Sequence, residues 1–256
     1  MNTPINSPVL ERMTTITLKE MKHIRLMDRM DFKFIASASL LPQLLEEIAP
    51  FFKVQVNNER RMAPYSTQYL DTSRLDMFLM HQNGKLNRQK IRIRSYMDSG
   101  ISFLEVKNKN NKGRTTKVRI PTPLSHIRTL DDMVENQSFL DENSLFDSRR
   151  LEPALANRFN RITLVNNRAT ERVTIDTHLS FFNYMTGQEK ALEGIAVLEL
   201  KQDGWRHSDF REALNRLRIK PVSFSKYCMG TVLTNQDAKY NRFKPKWTII
   251  NKLTNQ

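Results

Sequence analysis

Four cations, Arg88, Lys90, Arg92 and Arg94, fall on alternate positions of the segment 86–96 (LNRQKIRIRSY), with Ile91 and Ile93 between them. Side chains two apart along a strand share a face. As a strand, this segment carries a row of guanidinium and ammonium groups on one side and an apolar stripe on the other. Guanidinium grips phosphate as a planar fork and ammonium acts on it as a point charge, so such a row suits a phosphorylated or polyanionic ligand.

The same division recurs along the chain. Arg29, Asp31 and Lys33 alternate with Met30, Phe32 and Phe34, and Glu105, Lys107 and Lys109 with Leu104 and Val106. Lys117 and Arg119 stand against Val118 and Ile120, Phe159 and Arg161 against Ile162 and Leu164, and Arg172, Asp176 and His178 against Val173, Ile175 and Leu179. Glu199 and Lys201 stand against Leu198 and Leu200. Backbone phosphate loops are missing: there is no G-x-x-x-x-G-K-[ST] run, no Rossmann glycine fingerprint, and the chain holds only 7 Gly. Phosphate binding would fall to Arg and Lys side chains.

The elements that must position these residues read as strands at 29–36, 54–57, 66–71, 86–96, 101–109, 114–120, 157–165, 171–181 and 195–202. Helical patterns are expected at 17–28, where Thr17 and Glu20 form a capping box, at 39–51, where Pro42 sits in the first turn, and at 73–82, 208–217 and 225–234. The acidic segment 129–147 lacks alternation and reads as helix or loop. The fold class is α+β, a large antiparallel sheet or barrel with helices added. The domain limits are a helical segment at 1–28, a main domain at 29–235 and a basic tail at 236–256, whose only apolar spots are Trp247, Ile249 and Ile250.

Composition narrows the partners. The chain sets 41 Lys and Arg against 27 Asp and Glu, a net charge of +14, which implies an anionic partner. Nucleic acid is disfavoured, because the cations alternate along strands and no zinc finger, helix-turn-helix or aromatic RNA-binding sheet motif is present. The five histidines, His23, His81, His126, His178 and His207, lack metal-ligand spacing and read as structural or solvated. Cys228, the single cysteine, excludes an internal disulfide framework and reads as a small buried hydrophobe in a reducing cytosol. Residues 1–10 lack an apolar core, and no window approaches the roughly 18 apolar residues of a spanning helix, so the chain is expected to be cytoplasmic.

Two arrangements satisfy the alternation. The ionic faces can look at solvent around an ordinary core, or the sheet can close with those faces inward, apolar faces outward and helices covering them. The excess of cations disfavours the first, since like charges opposite one another on neighbouring strands repel. The second demands a wet interior holding an anion, because a dry unpaired charge costs several kcal/mol.

Seven segments, in order, resemble the VTC domain, the polyphosphate polymerase family of the triphosphate tunnel metalloenzymes (CYTH-like). Arg29-Met30-Asp31-Phe32-Lys33-Phe34 is similar to that family's R-x-D-x-K-Y opening, Tyr69-Leu70-Asp71-Thr72 to its Y-L-D-T/N strand end, and Ile91-Arg92-Ile93-Arg94 to its paired-arginine strand. Phe103-Leu104-Glu105-Val106-Lys107 resembles F-x-E-x-K, Val173-Thr174-Ile175-Asp176 resembles R-x-T-I-D, Val197-Leu198-Glu199-Leu200-Lys201 resembles V-L-E-x-K, and Ser223-Phe224-Ser225-Lys226-Tyr227 resembles the closing S-K-Y/F. The resemblance implies an antiparallel β-barrel, a triphosphate tunnel with a basic interior and helices packed outside.

It also implies an ATP-dependent enzyme that extends inorganic polyphosphate and releases ADP with the help of Mn or Mg. Catalytic residues would be Arg92, Arg94, Lys107, Arg161 and Lys226, and phosphate-binding residues Lys33, Arg88, Lys90, Lys117, Lys201 and Ser225. The metal would fall to Glu199, with Glu105 either a second ligand or a salt-bridge partner. Phosphoryl transfer fits such a set, since it needs positioning and charge neutralisation rather than a protein nucleophile. Two positions depart from the family: one lysine of the closing motif is missing, and a Tyr-x-Arg pair is here Phe159-Asn160-Arg161. Metal-dependent triphosphatase activity, or binding without catalysis as a polyphosphate or phosphate sensor, are the alternatives. Partners are ATP or another triphosphate and inorganic polyphosphate; a membrane protein, if engaged, would be a separate chain at the inner face of the membrane.

Overall fold

The computed structural model describes residues 8–21, 23–24, 26, 29–123 and 134–254. The strands are β1 (Thr15–Thr17), β2 (Arg29–Ser37), β3 (Phe52–Val56), β4 (Ala63–Asp71), β5 (Arg88–Tyr96), β6 (Ile101–Lys109), β7 (Thr115–Thr122), β8 (Glu152–Asn166), β9 (Glu171–Asn183), β10 (Glu189–Leu192) and β11 (Ile195–Asp203). The helices are α1 (Pro8–Arg12), α2 (Leu18–Met21), α3 (Leu41–Ile48), α4 (Asp76–Gln82), α5 (Val134–Asn143), α6 (Asp209–Arg216), α7 (Lys226–Thr234) and α8 (Lys244–Thr254).

All the strands join one sheet with the order β2-β11-β9-β8-β4-β5-β6-β7; β10 pairs with β9, and β3 bridges β1 and β8. The pairs are antiparallel except β1 with β3. The sheet does not close. It curls, so that β2 faces β5 and β6 across a shared cavity. The terminal strands stay short of pairing with each other: the outer side of β2 is occupied by Val222, whose N–H donates to the Lys33 carbonyl at 2.7 Å, and β7 carries Pro121, which belongs on an edge strand because it lacks a ladder donor.

The two faces divide as the alternation predicts. Phe34, Ala36, Ile162, Leu164, Val173, Ile175, Leu198 and Leu200 point out of the curl and are buried beneath Leu41, Leu44, Leu45 and Ile48 of α3 and Phe210, Ala213 and Leu214 of α6. On β5 and β6 the outward residues Ile91, Ile93, Leu104 and Val106 are covered by Leu140 of α5 and by Leu151. The ionic face is thereby concave. At one end of it an apolar cluster of α4, α7 and α8 packs against Ile35, Tyr69, Leu155, Phe181 and Val197. Asp71 ties this plug down: its carboxylate accepts the N–H groups of Thr72, Met77 and Phe78 and the hydroxyl of Tyr227.

Several boundaries differ from expectation. The Thr17–Glu20 capping box forms, with Thr17 N–H donating to Glu20 at 2.8 Å, yet the helix it opens lasts one turn, because the β-branched run at 15–17 is spent on pairing with β3; part of the remainder of 17–28, and 129–133 of the acidic segment, lie outside the described residues. The strand at 157–165 extends to 152–166, and its pairing with β9 shifts at Arg158/Asn160, where His178 takes a left-handed φ of 52°. The basic tail at 236–256 contains a packed helix, α8, with Phe243 and Ile250 buried. Among the described residues no helix is long and apolar enough to cross a membrane.

Gly230 is where α7 approaches the sheet most closely. A Cβ there would lie 2.4 Å from Phe181 Cδ1 and 2.5 Å from Leu155 Cδ2, both on buried side chains. In an open helix Gly→Ala stabilises by about 1 kcal/mol. Here overpacking, typically about 1–3 kcal/mol, reverses the sign. Gly230→Ala is expected to lower the midpoint of chemical denaturation; an unchanged or raised midpoint would refute the close packing.

Candidate functional site

The concave face gathers its charges into small groups, each centred on one carboxylate. Glu105 on β6 sits opposite Arg92 on β5 and Arg119 on β7. Its carboxylate accepts from Arg92 Nε at 2.8 Å and from Lys117 Nζ at 2.9 Å and is almost wholly buried. Burial alone would raise this carboxyl, but Arg92, Arg94 and Lys117 outweigh it and hold it at about 2. Asp176 on β9 is gripped as a fork by Arg161 of β8, Nε to Oδ1 at 2.6 Å and Nη2 to Oδ2 at 2.7 Å, and also accepts from Lys226 at the start of α7. Burial would raise Asp176 too; Arg161 and Lys226 reverse the shift. Glu199 on β11 accepts from Lys201 at 2.6 Å and has Lys33 of β2 at 3.9 Å, and these two cations outweigh burial to hold it well below the usual carboxylate range.

Several cations in this face form no ion pair with a carboxylate among the described residues, Arg94, Lys107 and Lys90 among them. Arg94, two residues from Arg92, is buried with its Nε unpartnered; burial, then Arg92 and Arg161, push it down to about 10. Lys107 is pushed to about 7 by burial, Lys33 and Arg92. Lys90 is pushed to about 8, chiefly by burial; its Nζ donates to Ser225 Oγ at 2.8 Å, while that same oxygen caps α7 by accepting the Cys228 N–H. Two further buried hydroxyls, Thr67 of β4 and Thr174 of β9, are also without partners on strands that line the curl.

Between β2 and the β5–β7 ladder runs a cavity of about 1080 Å³. Among the described residues nine Lys and Arg side chains line it, Lys33, Lys90 and Lys107 among them, against one carboxylate, Asp31, which is paired with Arg29 at 2.8 Å. The cavity and the ion-paired floor beneath it form one continuous cationic surface.

The structure brings the sequence-predicted residues together. Lys33, Lys90, Arg92, Arg94, Lys107, Lys117, Arg161, Lys201, Glu105 and Glu199 lie on the concave face by strand register, with Ser225 and Lys226 delivered to it by α7. Arg88 stands at the rim, donating to the Lys85 carbonyl at 3.0 Å and lining the cavity.

A model of the VTC domain family matches residues 28–235. The chain belongs to the VTC domain family. No curated protein sequence matches it. Among solved structures, the Hippeastrum adenylyl cyclase-like protein HpAC1, described as having a dominant triphosphatase activity, aligns with a TM-score of 0.50 at 13% identity, covering 81% of this chain and 97% of that one. An adenylate cyclase-like protein of Bacillus halodurans aligns with a TM-score of 0.49 at 15% identity, covering 85% and 99%. The fold is the triphosphate tunnel, here an uncurtailed sheet curled without closing.

The VTC tunnel of this chain offers a divalent cation little unaided: among the described residues no three His, Cys, Asp or Glu side chains cluster as a metal site. Glu105 and Asp176 are buried and saturated by cations, whereas Glu199 keeps about a fifth of its side chain open. Mg²⁺ is commonly held by one or two carboxylates with the remaining ligands from water and substrate phosphate. Glu199 is the carboxylate that fits that pattern.

Sequence reasoning passed over part of the site. Asp176, quoted within its motif, turns out to hold two of the chosen cations. Tyr65, Thr67 and Tyr69 of β4 share the face with Arg92 and Arg94 by register, a position that their alternation at 65–69 encodes. Phe159, standing where the family has tyrosine, stacks on Tyr65 at 5.3 Å between centroids and has Lys226 over its ring at 4.4 Å, so it works as a cation–π platform in place of a hydroxyl. Cys228 is buried with Sγ 3.0 Å from His81 Nδ1, and burial pushes its thiol up. His126 lies outside the described residues.

Arg92 and Arg94 are equivalent in sequence and different in structure, so their alanine variants are expected to diverge. Arg92→Ala strips a buried carboxylate of its main partner and is expected to cost roughly 3 kcal/mol of stability. Arg94→Ala removes an unpaired buried cation; the fold is expected to keep or gain stability while affinity for tripolyphosphate drops about tenfold or more. Equal stability losses in the two variants would contradict the pairing scheme.

Lys90 and Lys107 supply a second test. An anion bound beside them favours their charged forms and raises both values, so binding at pH 8 takes up protons. Affinity is expected to decline with rising pH through about 7 and about 8. Calorimetry in buffers of different ionisation enthalpy measures the uptake, and a buffer-independent heat would refute it.

Proposed function

We propose that this VTC domain is a phosphotransferase that uses ATP and Mg²⁺ or Mn²⁺ to extend inorganic polyphosphate in its basic tunnel. The observation that carries the reading is Arg94, which forms no ion pair among the described residues, leaves its buried Nε unpartnered and feels the repulsion of Arg92 and Arg161. A fold that holds such a charge is built around an anion. The adjoining cavity, about 1080 Å³ with cations along its length, suits a linear phosphate chain better than a single compact triphosphate.

In this reading Arg94, Arg161 and Lys226 hold the γ-phosphoryl group, and Lys33, Lys90 and Lys107 hold the polyphosphate acceptor, with the Ser225 hydroxyl donating to a phosphate oxygen. Arg92 and Lys117 keep Glu105 neutralised and so act by positioning. Glu199 would hold the metal, whose chemistry would be to neutralise charge developing on the phosphates. A terminal polyphosphate oxygen attacks Pγ, the Pγ–O bond to the β-phosphate breaks, and ADP leaves with the bonding pair; the chain grows by one unit.

Hydrolysis on the same tunnel is the competing reading, favoured by the triphosphatase activity of the Hippeastrum protein. Attack by water calls for a general base with a value near neutrality. The tunnel carboxylates Glu105, Asp176 and Glu199 are all held low by their cations, and Lys107 is protonated once an anion sits beside it. An ionised phosphate oxygen needs no base, which favours transfer over hydrolysis. The buried thiol and the cation-lined site suit a reducing, ATP-rich cytoplasm.

Purified protein incubated with ATP and Mn²⁺ is expected to yield ADP and polyphosphate in matching amounts. ADP with free phosphate alone would make it a hydrolase, and saturable binding without turnover a sensor. Glu199→Gln removes the anionic oxygen that a hard cation requires; turnover is expected to collapse while metal-free polyphosphate binding holds or tightens. A Glu199→Gln enzyme with undiminished metal-dependent turnover would remove Glu199 from the site.

A further inference from the structure

Residues 236–254 lie beyond the segment matched by the family, 28–235, yet they pack tightly. Phe243 is buried against Phe78 and the His81 ring, at 6.0 and 5.6 Å between centroids, and Ile250 is buried in the same cluster as Ile35, Ile195 and Val197. This anchoring places Lys246 of α8 on the wall of the basic cavity, which also includes His81, Arg88, Lys90 and Ser225. Arg242 lies alongside on the turn that follows α4: a Cβ on Gly84 would come within 2.5 Å of its Nη1.

Four cations, Lys90, Arg88, Lys246 and Arg242, converge on His81, which burial and these neighbours keep neutral. No carboxylate offsets them. The neighbouring groups that act on Arg88 and Lys246 are other cations and the Cys228 thiol, which burial keeps uncharged, and none of the ion pairs among the described residues includes Arg88, Arg242 or Lys246. The contrast with the tunnel floor is plain, because there Glu105, Asp176 and Glu199 each neutralise two cations. A cationic cluster left unneutralised on the wall of a phosphate cavity calls for an external anion.

We propose that α8 adds an anion subsite to the tunnel, in which Lys246 and Arg88, backed by Arg242, take the phosphate units of a linear polyphosphate that reaches past the family's own cations. This rests on the reading of the tunnel as a polyphosphate site. Its consequence is discrimination by length: a short chain seated at Arg94 and Arg161, which are not among the residues lining the cavity, is expected to depend less on Lys246 than a long one that runs on through the cavity. Lys246 and Arg242 lie beyond the residues that the family match covers and Arg88 lies within them, so the C-terminal segment completes the subsite.

The test compares tripolyphosphate with long-chain polyphosphate as ligands for the full chain, using Lys246→Ala and Lys246→Ala/Arg242→Ala. Both side chains are at least partly exposed, and Phe243 and Ile250 remain to hold α8 in place. Affinity for the long chain is expected to fall about tenfold in the double variant, at the strength of a charge-assisted contact, with tripolyphosphate affinity unchanged, and the salt dependence of long-chain binding is expected to become shallower. Lys252→Ala, on the exposed side of the same helix, removes an equal charge and is expected to have no effect, and Lys246→Arg is expected to bind as wild type. Equal losses for the two ligands, an equal loss in Lys252→Ala, or no loss in the double variant with its thermal midpoint preserved would overturn the subsite. Wild-type protein that binds neither ligand would instead overturn the polyphosphate reading itself.

Discussion

The structure depends on one constraint: a dozen or so Lys and Arg side chains must share the inside of a curled sheet without making the folded state untenable. Taking an ammonium or guanidinium from water into a protein interior costs several kcal/mol unless it is paired. The chain meets this by interleaving carboxylates singly, one on each of three strands and none directly opposite another. Glu105 on β6 serves Arg92 and Lys117, Asp176 on β9 serves Arg161 and Lys226, and Glu199 on β11 serves Lys201 and Lys33. With the ionic faces turned inward, the apolar faces turn outward and must be covered, which is why α3 and α6 lie on one flank and α5 on the other. The helices outside follow from the charges inside.

The same economy of carboxylates shapes the chemistry. Each acid is consumed by two cations and driven to a low value, so the tunnel holds strong electrostatic grips and no ready carboxylate base. Reactions whose nucleophile arrives already ionised are suited to such a site. The end plug extends this logic: α7 brings Lys226 to Asp176 and Ser225 to Lys90, and its Tyr227 hydroxyl is fixed by Asp71, so the closing motif is placed by the Y-L-D-T segment at the end of β4.

Much of this was legible from the sequence because strand register follows from a period of two. The alternation at 88–94 put Arg88, Lys90, Arg92 and Arg94 on one face without reference to any partner strand, and the same held for Lys33, Lys107 and Glu199. The pairing among those residues was not legible, since it depends on which strands lie side by side. Nothing local distinguishes Arg92 from Arg94, yet one faces Glu105 and the other stands unpaired between cations. The helix expected at 17–28 had its capping box but lost its length to a parallel pairing between Thr15–Thr17 and β3, a contact across 39 residues of chain. At 236–256 the scattered apolar residues Phe243 and Ile250 gave no clear amphipathic period, and only their burial against α4 and the sheet turns a basic tail into a wall of the cavity.

The unpaired cations also link stability to occupancy. Arg94, Lys90 and Lys107 each carry a burial cost larger than any offset from the nearby acids Glu105 and Glu199, as their depressed values record. The empty tunnel therefore holds free energy that a bound polyanion releases, and anything binding only the folded state stabilises it in proportion to its affinity and concentration. An open sheet suits this arrangement: with β2 and β7 unjoined, water reaches the cations between ligands and lowers the cost of leaving them unpaired. A fully closed barrel of the same sequence would dry the interior and raise that cost, so the open slot and the uncompensated charges belong to a single solution.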